Sequence, residues 1–262
     1  MVRSLYTAAT GMQSQQMNID NISNNLSNVN NAGFKKGRIL FEDLLYQELR
    51  AAGSTTATGT IHPTGIQLGL GVMTAAIEKI HSQGSPKYTE NPLDIMIQGD
   101  GFYQVELPDG SIGYTRVGSF KVDANGDVVT PQGYRLFPNI NMPENALSLN
   151  VTHDGIFSVY LPGEMDETEI GQIEITRFIN PAGLKTIGEN IYIQTSSSGA
   201  PQVNIPGQDG FGQLRQHFLE MSNVSVVEEM VDMITAQRAY EMDSKAIQTS
   251  DEMLQIANGL KR

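Results

Sequence analysis

The chain has no cysteine, no tryptophan and no apolar run approaching the length of a membrane span. Without cysteine there can be no disulfide, no thiolate metal site and no cysteine nucleophile. That absence also suits an oxidising or extracytoplasmic setting. A span needs about 20 apolar residues, so membrane insertion is not expected. The opening MVRSLYTAATGMQSQQMNID lacks the apolar core of a secretory signal. The expectation is a cytoplasmic protein, or one that leaves by a route that reads no cleaved signal. Basic residues are scarce as well: 17 Lys and Arg stand against 29 Asp and Glu, a net charge of -12. Such a chain is repelled by phosphate backbones, which argues against nucleic-acid binding. Only 39% of the 262 residues are hydrophobic, below the usual range for a compact chain. Much apolar surface is therefore expected to be buried in thin layers or against neighbouring molecules.

What is present falls into two helical ends and a β-patterned middle. Residues 3 to about 31 contain no proline. Leu5, Ala8, Met12, Gln15, Ile19, Ile22, Leu26 and Val29 alternate in steps of three and four, a heptad seam with one polar interruption. Asn30, Asn31, Ala32 and Gly33 are expected to end this helix, because they tolerate a left-handed cap. Residues from about 223 to 259 also lack proline. Met242, Ala246, Thr249, Met253, Ile256 and Leu260 repeat the rhythm, while Val226, Val227, Met230, Val231, Met233 and Ile234 form a wider, rotated stripe. Ser222 and Asn223 are the expected N-cap, with Glu228 and Glu229 in the first turns where the helix dipole favours negative charge. The plainer reading is two ordinary amphipathic core helices. The sharper one is a coiled coil built from the chain's own termini, since long helices with thin seams are poorly stable alone and need partners.

From about Ile77 to His217 short alternating runs are separated by turn residues such as Pro108-Asp-Gly110 and Asn125-Gly126. This spacing predicts an all-β sandwich or barrel-like module. The fold class expected is thus α+β, with long N- and C-terminal helices flanking an all-β central domain. Residues 1–32 with 222–262 form the helical assembly domain, 33–76 an extended connector, and 77–221 the β-rich outer domain. Within the connector, Ala51 to Thr60 is small and polar, whereas Ile66 to Val72 alternates apolar and small residues as an edge strand does.

Catalytic patterns are missing. His62, His81, His153 and His217 are far apart in sequence, with none in an i, i+4 pair, and read as scattered surface residues. No nucleophile elbow or phosphate-binding loop occurs. Asp123, Asn125 and Asp127 open like a calcium loop, but Val128 and Tyr134 stand where Gly and Glu are required, so a β-turn is the better reading. Gly69-Leu-Gly71 starts a glycine pattern that Thr74 breaks. Glu164, Asp166, Glu167 and Glu169 read as a solvated loop. No catalytic residue, metal or cofactor is assigned. A carboxylate pair facing a sugar remains the enzymatic alternative, because a β module can bring together residues distant in sequence.

Three segments together resemble the bacterial flagellar rod and hook family. They are Asn24 to Lys35; Gly99-Asp-Gly-Phe102 with Tyr114 to Phe120 and Asn125-Gly126; and Ser222 to Val231 with Gln237-Arg-Ala-Tyr240 and Ser244-Lys-Ala246. Phe41 to Gln47, Gly65 to Val72, Ile187 to Tyr192 and Ser198 to Pro201 are similar to the distal-rod branch. The resemblance implies export through the flagellar type III channel without a cleaved signal peptide. It implies helical self-assembly into a straight hollow rod in the basal body, transmitting torque to the hook. The implied partners are copies of the chain, proximal rod subunits, the hook protein, the bushing rings and the export apparatus. Leu5, Ala8, Met12, Ile19, Ile22, Leu26 and Val29, with Val227, Met230, Val231, Ile234, Met242, Ala246, Met253, Ile256 and Leu260, are then the self-assembly residues. Leu49, Gly65, Ile66, Leu68, Leu70 and Val72 form a rod-specific connector. A proximal rod or hook subunit, or a secreted carbohydrate-active β domain, are the alternatives.

Overall fold

A computed structural model describes residues 2–53, 63–163 and 166–259. In chain order a helix α1 (Val2–Ser27) precedes twenty short strands, and a second helix α2 (Val226–Gly259) follows them. The α+β class is as expected. Among the described residues no helix is long and apolar enough to cross a membrane. The chain divides into two compact units. One contains residues 1–26, 37–78 and 225–262; the other contains 27–36 and 79–224. This division groups 37–78 with the helices instead of leaving it as a separate connector.

In the helical unit, Gly37–Asp43 pairs with Val72–Lys79, and Tyr46–Arg50 pairs with Ile66–Gly69. The second pair is antiparallel, with Gln47 opposite Leu68. The alternating stretch that begins at Ile66 therefore finds its strand partner within its own chain. Gly71 has φ 126°, and a Cβ there would lie 2.3 Å from Thr10 Oγ1. The glycine of the broken pattern serves a close approach to α1.

The second unit is built on a nine-stranded antiparallel sheet. Its main path runs Lys185–Gly188, Ile191–Ile193, Ile112–Thr115, Phe102–Glu106, Arg135–Phe137, Val128–Val129, Lys121–Val122, and Ile175–Arg177 joins Gln202–Asn204 to Phe102–Glu106. Ser148–Val151, Ile156–Tyr160 and Thr168–Gln172 form a separate three-stranded sheet. Successive side chains on a strand face opposite ways, and Phe102 and Tyr103 accordingly enter different cores. Tyr103 joins Ile95, Ile97, Phe120, Leu136, Phe157 and Ile175 in the larger one. Phe102 joins Tyr114, Phe178, Leu184 and Tyr192 in the smaller. Asp123 N–H donates to Asp127 O and Gly126 N–H to Asp123 O, each at 2.9 Å, with Gly126 at φ 84°. The calcium-like triplet is a hairpin turn, and Asp127 accepts hydrogen bonds from Asn139 and Asn141. Glu189 and Asn190, both at positive φ, turn Lys185–Gly188 into Ile191–Ile193.

Candidate assembly surface and the polar nodes behind it

α1 and α2 run antiparallel. Ser4 Oγ lies 3.3 Å from Ser250 Oγ, and Asn25 Nδ2 donates to Glu229 Oε2 at 3.1 Å. Between them, a Cβ on Gly11 would stand 2.7 Å from Asp243 Oδ2. The partner number falls one for one as the other rises: 4 with 250, 11 with 243, 25 with 229. On α2 the residues withdrawn from solvent are Glu229, Met233, Ala236, Ala239, Asp243, Ile247, Ser250 and Leu254, with Ser244 beside them. These also follow steps of three and four, so the seam has a coiled-coil rhythm, but much of it is small or polar.

The larger C-terminal side chains expected on that seam do not meet α1. Val227, Met230, Val231, Ile234, Met242, Met253 and Ile256 are 49% to 74% exposed, and Ala246 is exposed with them. Leu260 lies outside the described residues. At about 3.6 residues per turn, positions 227, 231, 234, 249 and 256 share one face, roughly opposite the face of 229, 236, 243 and 250. The larger stripe is turned from α1 for a geometric reason. The helix carries two stripes, and close approach at Gly11 selects the one with small side chains. On α1, Ala8 and Ile22 are buried and Leu5, Met12, Ile19 and Leu26 half-buried, as is Val29, which the helix, ending at Ser27, does not reach. In the connector, Leu49, Gly65, Ile66 and Leu68 are exposed and Leu70 and Val72 half-buried. Part of the small polar stretch, residues 54–60, lies outside the described residues.

One polar node holds the helical unit. Asn25 is 1% exposed. Its Oδ1 accepts Gly37 N–H at 2.9 Å, and its Nδ2 donates to Gly37 O at 2.9 Å as well as to Glu229. Asn21 Nδ2 donates to the same carbonyl. Gly37 is required there, since a Cβ would fall 2.6 Å from Asn21 Oδ1.

A second node lies in the β unit. Glu220, 2% exposed, receives Lys35 Nζ on Oε1 and Arg116 Nε on Oε2, both at 2.6 Å. Gly84 N–H donates to Oε1 at 2.9 Å. Arg116 also donates to the carbonyls of Ile97, Gly99 and Gly101, and Lys35 to Ser82 O. Burial pushes the Glu220 carboxyl up, but the Arg116 and Lys35 charges outweigh it and hold it below its ordinary value. Burial holds the Lys35 ammonium below its ordinary value, against the pull of Glu220. Asn223 ties the same region: its Oδ1 accepts Lys36 N–H at 2.7 Å, and its Nδ2 donates to Ile80 O at 2.9 Å. It is therefore not the helix cap expected; α2 begins later, at Val226. Gly33, at φ 71°, donates its N–H to Glu220 O, and a Cβ there would strike Val117. It serves this approach, six residues beyond the end of α1.

Asn25, Lys35 and Arg116 lie in the segments that carry the resemblance without an expected role, Glu220 lies outside those segments, and Asn223 was expected only as a cap. The available signal was lone charges and amides set among glycines that need positive φ. Among the described residues no group of three or more His, Asp or Glu is arranged to hold a metal. Asp109, Asp127, Glu167 and Glu220 are each held below the ordinary carboxylate range, the opposite of what a glycosidase acid requires.

Comparison with known proteins follows this anatomy. The family model described as Flagella basal body rod protein matches residues 5–35, spanning most of α1 and the chain into Lys35. The Flagellar hook protein FlgE/F/G D1 domain matches 96–159, and the Flagellar basal body rod FlgEFG protein C-terminal model matches 215–260. The chain is 54% identical to the flagellar basal-body rod protein FlgG of Borreliella burgdorferi, with all of both chains covered. It is 45% identical to that of Caulobacter vibrioides, covering 99% of this chain and 100% of the relative. It is 41% identical to that of Bacillus subtilis, again over the full length of both. Identity at this level along the whole chain makes it a member of the flagellar basal-body rod protein FlgG family.

Proposed function

We propose that the chain is the structural subunit of the distal rod of the flagellar basal body, and that copies of it assemble through the outward stripe of α2. The observation that carries this is the stripe itself. Four large apolar side chains, Val227, Val231, Ile234 and Ile256, stand 49% to 74% exposed on the helix side turned away from α1. Fully burying such a side chain is worth roughly 1.5–3 kcal/mol. A row of them is costly to leave in water, and repeated copies of one subunit can cover it. The polymer is straight and hollow, transmits torque to the hook, and leaves a path for export along its axis. Proximal rod subunits, the hook protein, the bushing rings and the export apparatus are its partners in this reading. Its work is mechanical: shear-resistant packing serves torque, and no titrating side chain is called upon. Ile256→Asp tests the stripe. Burying an unpaired charge costs several kcal/mol at every contact, so polymers seen by sedimentation or electron microscopy should vanish while the β unit melts as before. Polymers formed as readily as by the unaltered chain would refute the assignment.

A proximal rod or hook role is separated from this one by the hairpin Tyr46–Arg50 with Ile66–Gly69. Leu45, Tyr46, Leu49, Ile66 and Leu68 on it are 42% to 84% exposed, a surface suited to wedging against a neighbouring subunit and blocking sliding. Deleting residues 52–66 should give a polymer that forms but bends. Rods of unchanged shape and stiffness would remove the wedge from the proposal.

A further inference from the structure

Within the β unit a cavity of about 160 Å³ opens beside the Glu220 node, lined by Lys35, His81, Arg116 and Arg177 with Phe102 and Phe178. An average water occupies about 30 Å³, so the space suits a few waters or one short organic acid. Hydrogen-bonding capacity is left over on its walls. Lys35 has three donors and uses two, on Glu220 and Ser82. Arg116 has five and uses four. Among the described residues the side chain of Arg177, half-buried at the end of Ile175–Arg177, makes no ion pair or hydrogen bond. Neither His81 ring nitrogen has a well-formed hydrogen bond, although the Pro181 backbone weakly favours its protonated form.

The charges point one way. Lys35 and Arg116 pair with Glu220 behind the cavity, Arg177 lines it with them, and Asp100 stands at the exposed mouth. Three cations against two carboxylates leave a net positive pocket in a chain whose overall charge is -12. The Phe102 and Phe178 rings, 6.0 Å apart, give the same cavity an apolar wall. A bare inorganic anion would leave that wall uncovered; an acid on an aliphatic stem covers it while its oxygens meet the donors.

We propose that this cavity is a binding site for a carboxylate on a short aliphatic stem, engaged by Arg177 and the spare donors of Lys35, Arg116 and His81. The ligand is either a free small carboxylic acid or an Asp or Glu side chain of a second copy. Arg177 supplies the principal charge, because the other two cations are already tied to Glu220. Burial, with the Lys35, Arg116 and Lys79 charges beside it, pushes His81 down to about 4. The ring therefore meets the ligand as a neutral single donor at neutral pH.

The test uses the soluble full-length subunit, with the His81 ring observed by NMR during titration with propionate, and with propionamide and chloride as controls. A saturable shift with propionate alone is expected. Arg177→Gln should weaken it roughly tenfold or more, the scale of one charge-assisted hydrogen bond, with unchanged melting. No saturable shift, an equal response to propionamide, or full affinity in Arg177→Gln would each overturn the site. A second arm rests on the rod reading. In pelleted polymer free of added acid, a His81 signal at the propionate-bound position assigns the site to a neighbour's side chain. A signal at the free position rules that source out and leaves the free acid. Failure to polymerise would count against the rod reading alone, since the first arm needs no polymer.

Discussion

In the unit holding residues 79–224 the largest apolar side chains point inward: Ile95, Ile97, Tyr103, Phe120, Leu136 and Phe157 are at most 1% exposed. In the unit holding the helices the order is reversed. Its inner seam is furnished with Ser4, Gly11, Asn25, Glu229, Asp243 and Ser250, while Val231, Met242 and Ile256 face outward. Burial of apolar area is the main source of folding free energy. The β unit therefore has what it needs within one chain, and the helical unit does not. Long helices with little apolar burial are marginal in water. The difference separates what a subunit can fold by itself from what it completes on meeting its neighbours.

The largest expected effect is a contrast in hydrogen exchange. In soluble subunit the amides of α1 and α2 should exchange nearly as an open chain does, with local opening costing close to zero. Those of Phe102–Glu106 and Ile175–Arg177 should be protected by up to the global stability of their unit, on the order of 5–15 kcal/mol. Polymer formation should close the gap. Equal protection of helices and strands in dilute subunit would break the comparison.

The next effect is confined to the β unit. Glu220→Gln leaves Lys35 and Arg116 buried without their counter-charge, which costs about 3–5 kcal/mol for a broken buried pair. Urea unfolding followed by tyrosine signals should report that loss. Acid sharpens the test. The folded Glu220 carboxyl titrates below its ordinary 4.5, so its contribution is complete above that range and is lost as pH falls through the lowered value. The variant should lack that part of the acid limb. An identical loss of stability on acidification in both proteins would mean that other carboxylates carry it.

These results bear on what a sequence can disclose. The two helices were legible because proline is absent from both ends and apolar residues recur at helical steps. The β-patterned middle was legible as short strands because Pro108-Asp-Gly110 and Asn125-Gly126 mark turns between alternating runs. The seam on α2 was not legible, for a physical reason. Hydrophobic periodicity weights large side chains, yet backbones that approach as closely as at Gly11 can accommodate only small ones. The Glu220 node was hidden because its members come from positions 35, 116 and 220, brought together only by tertiary structure. His81 read as a surface residue, yet it sits half-buried with its ring edge-on to Phe102 and Tyr192, each at 5.4 Å.

The smallest effect tests the seam directly. Gly11 lies in the interior of α1, where glycine is worse than alanine by roughly 0.5–1 kcal/mol. Gly11→Ala should therefore strengthen the helix wherever α1 stands alone. Where α1 meets α2, the new Cβ falls 2.7 Å from Asp243 Oδ2 and 3.2 Å from its Cγ. That carboxylate must give way, and the displacement offsets the gain. The single substitution should be close to neutral in assembled rods. Combined with Asp243→Ala, which removes the obstructing atoms, it should recover the full benefit. A double-mutant cycle on thermal disassembly of the polymer isolates this term, because only residues in contact depart from additivity by more than about 0.5 kcal/mol. Strict additivity of the two changes would mean that Gly11 and Asp243 do not meet, and that the outward stripe of α2, not the small-residue face, receives α1 in the rod.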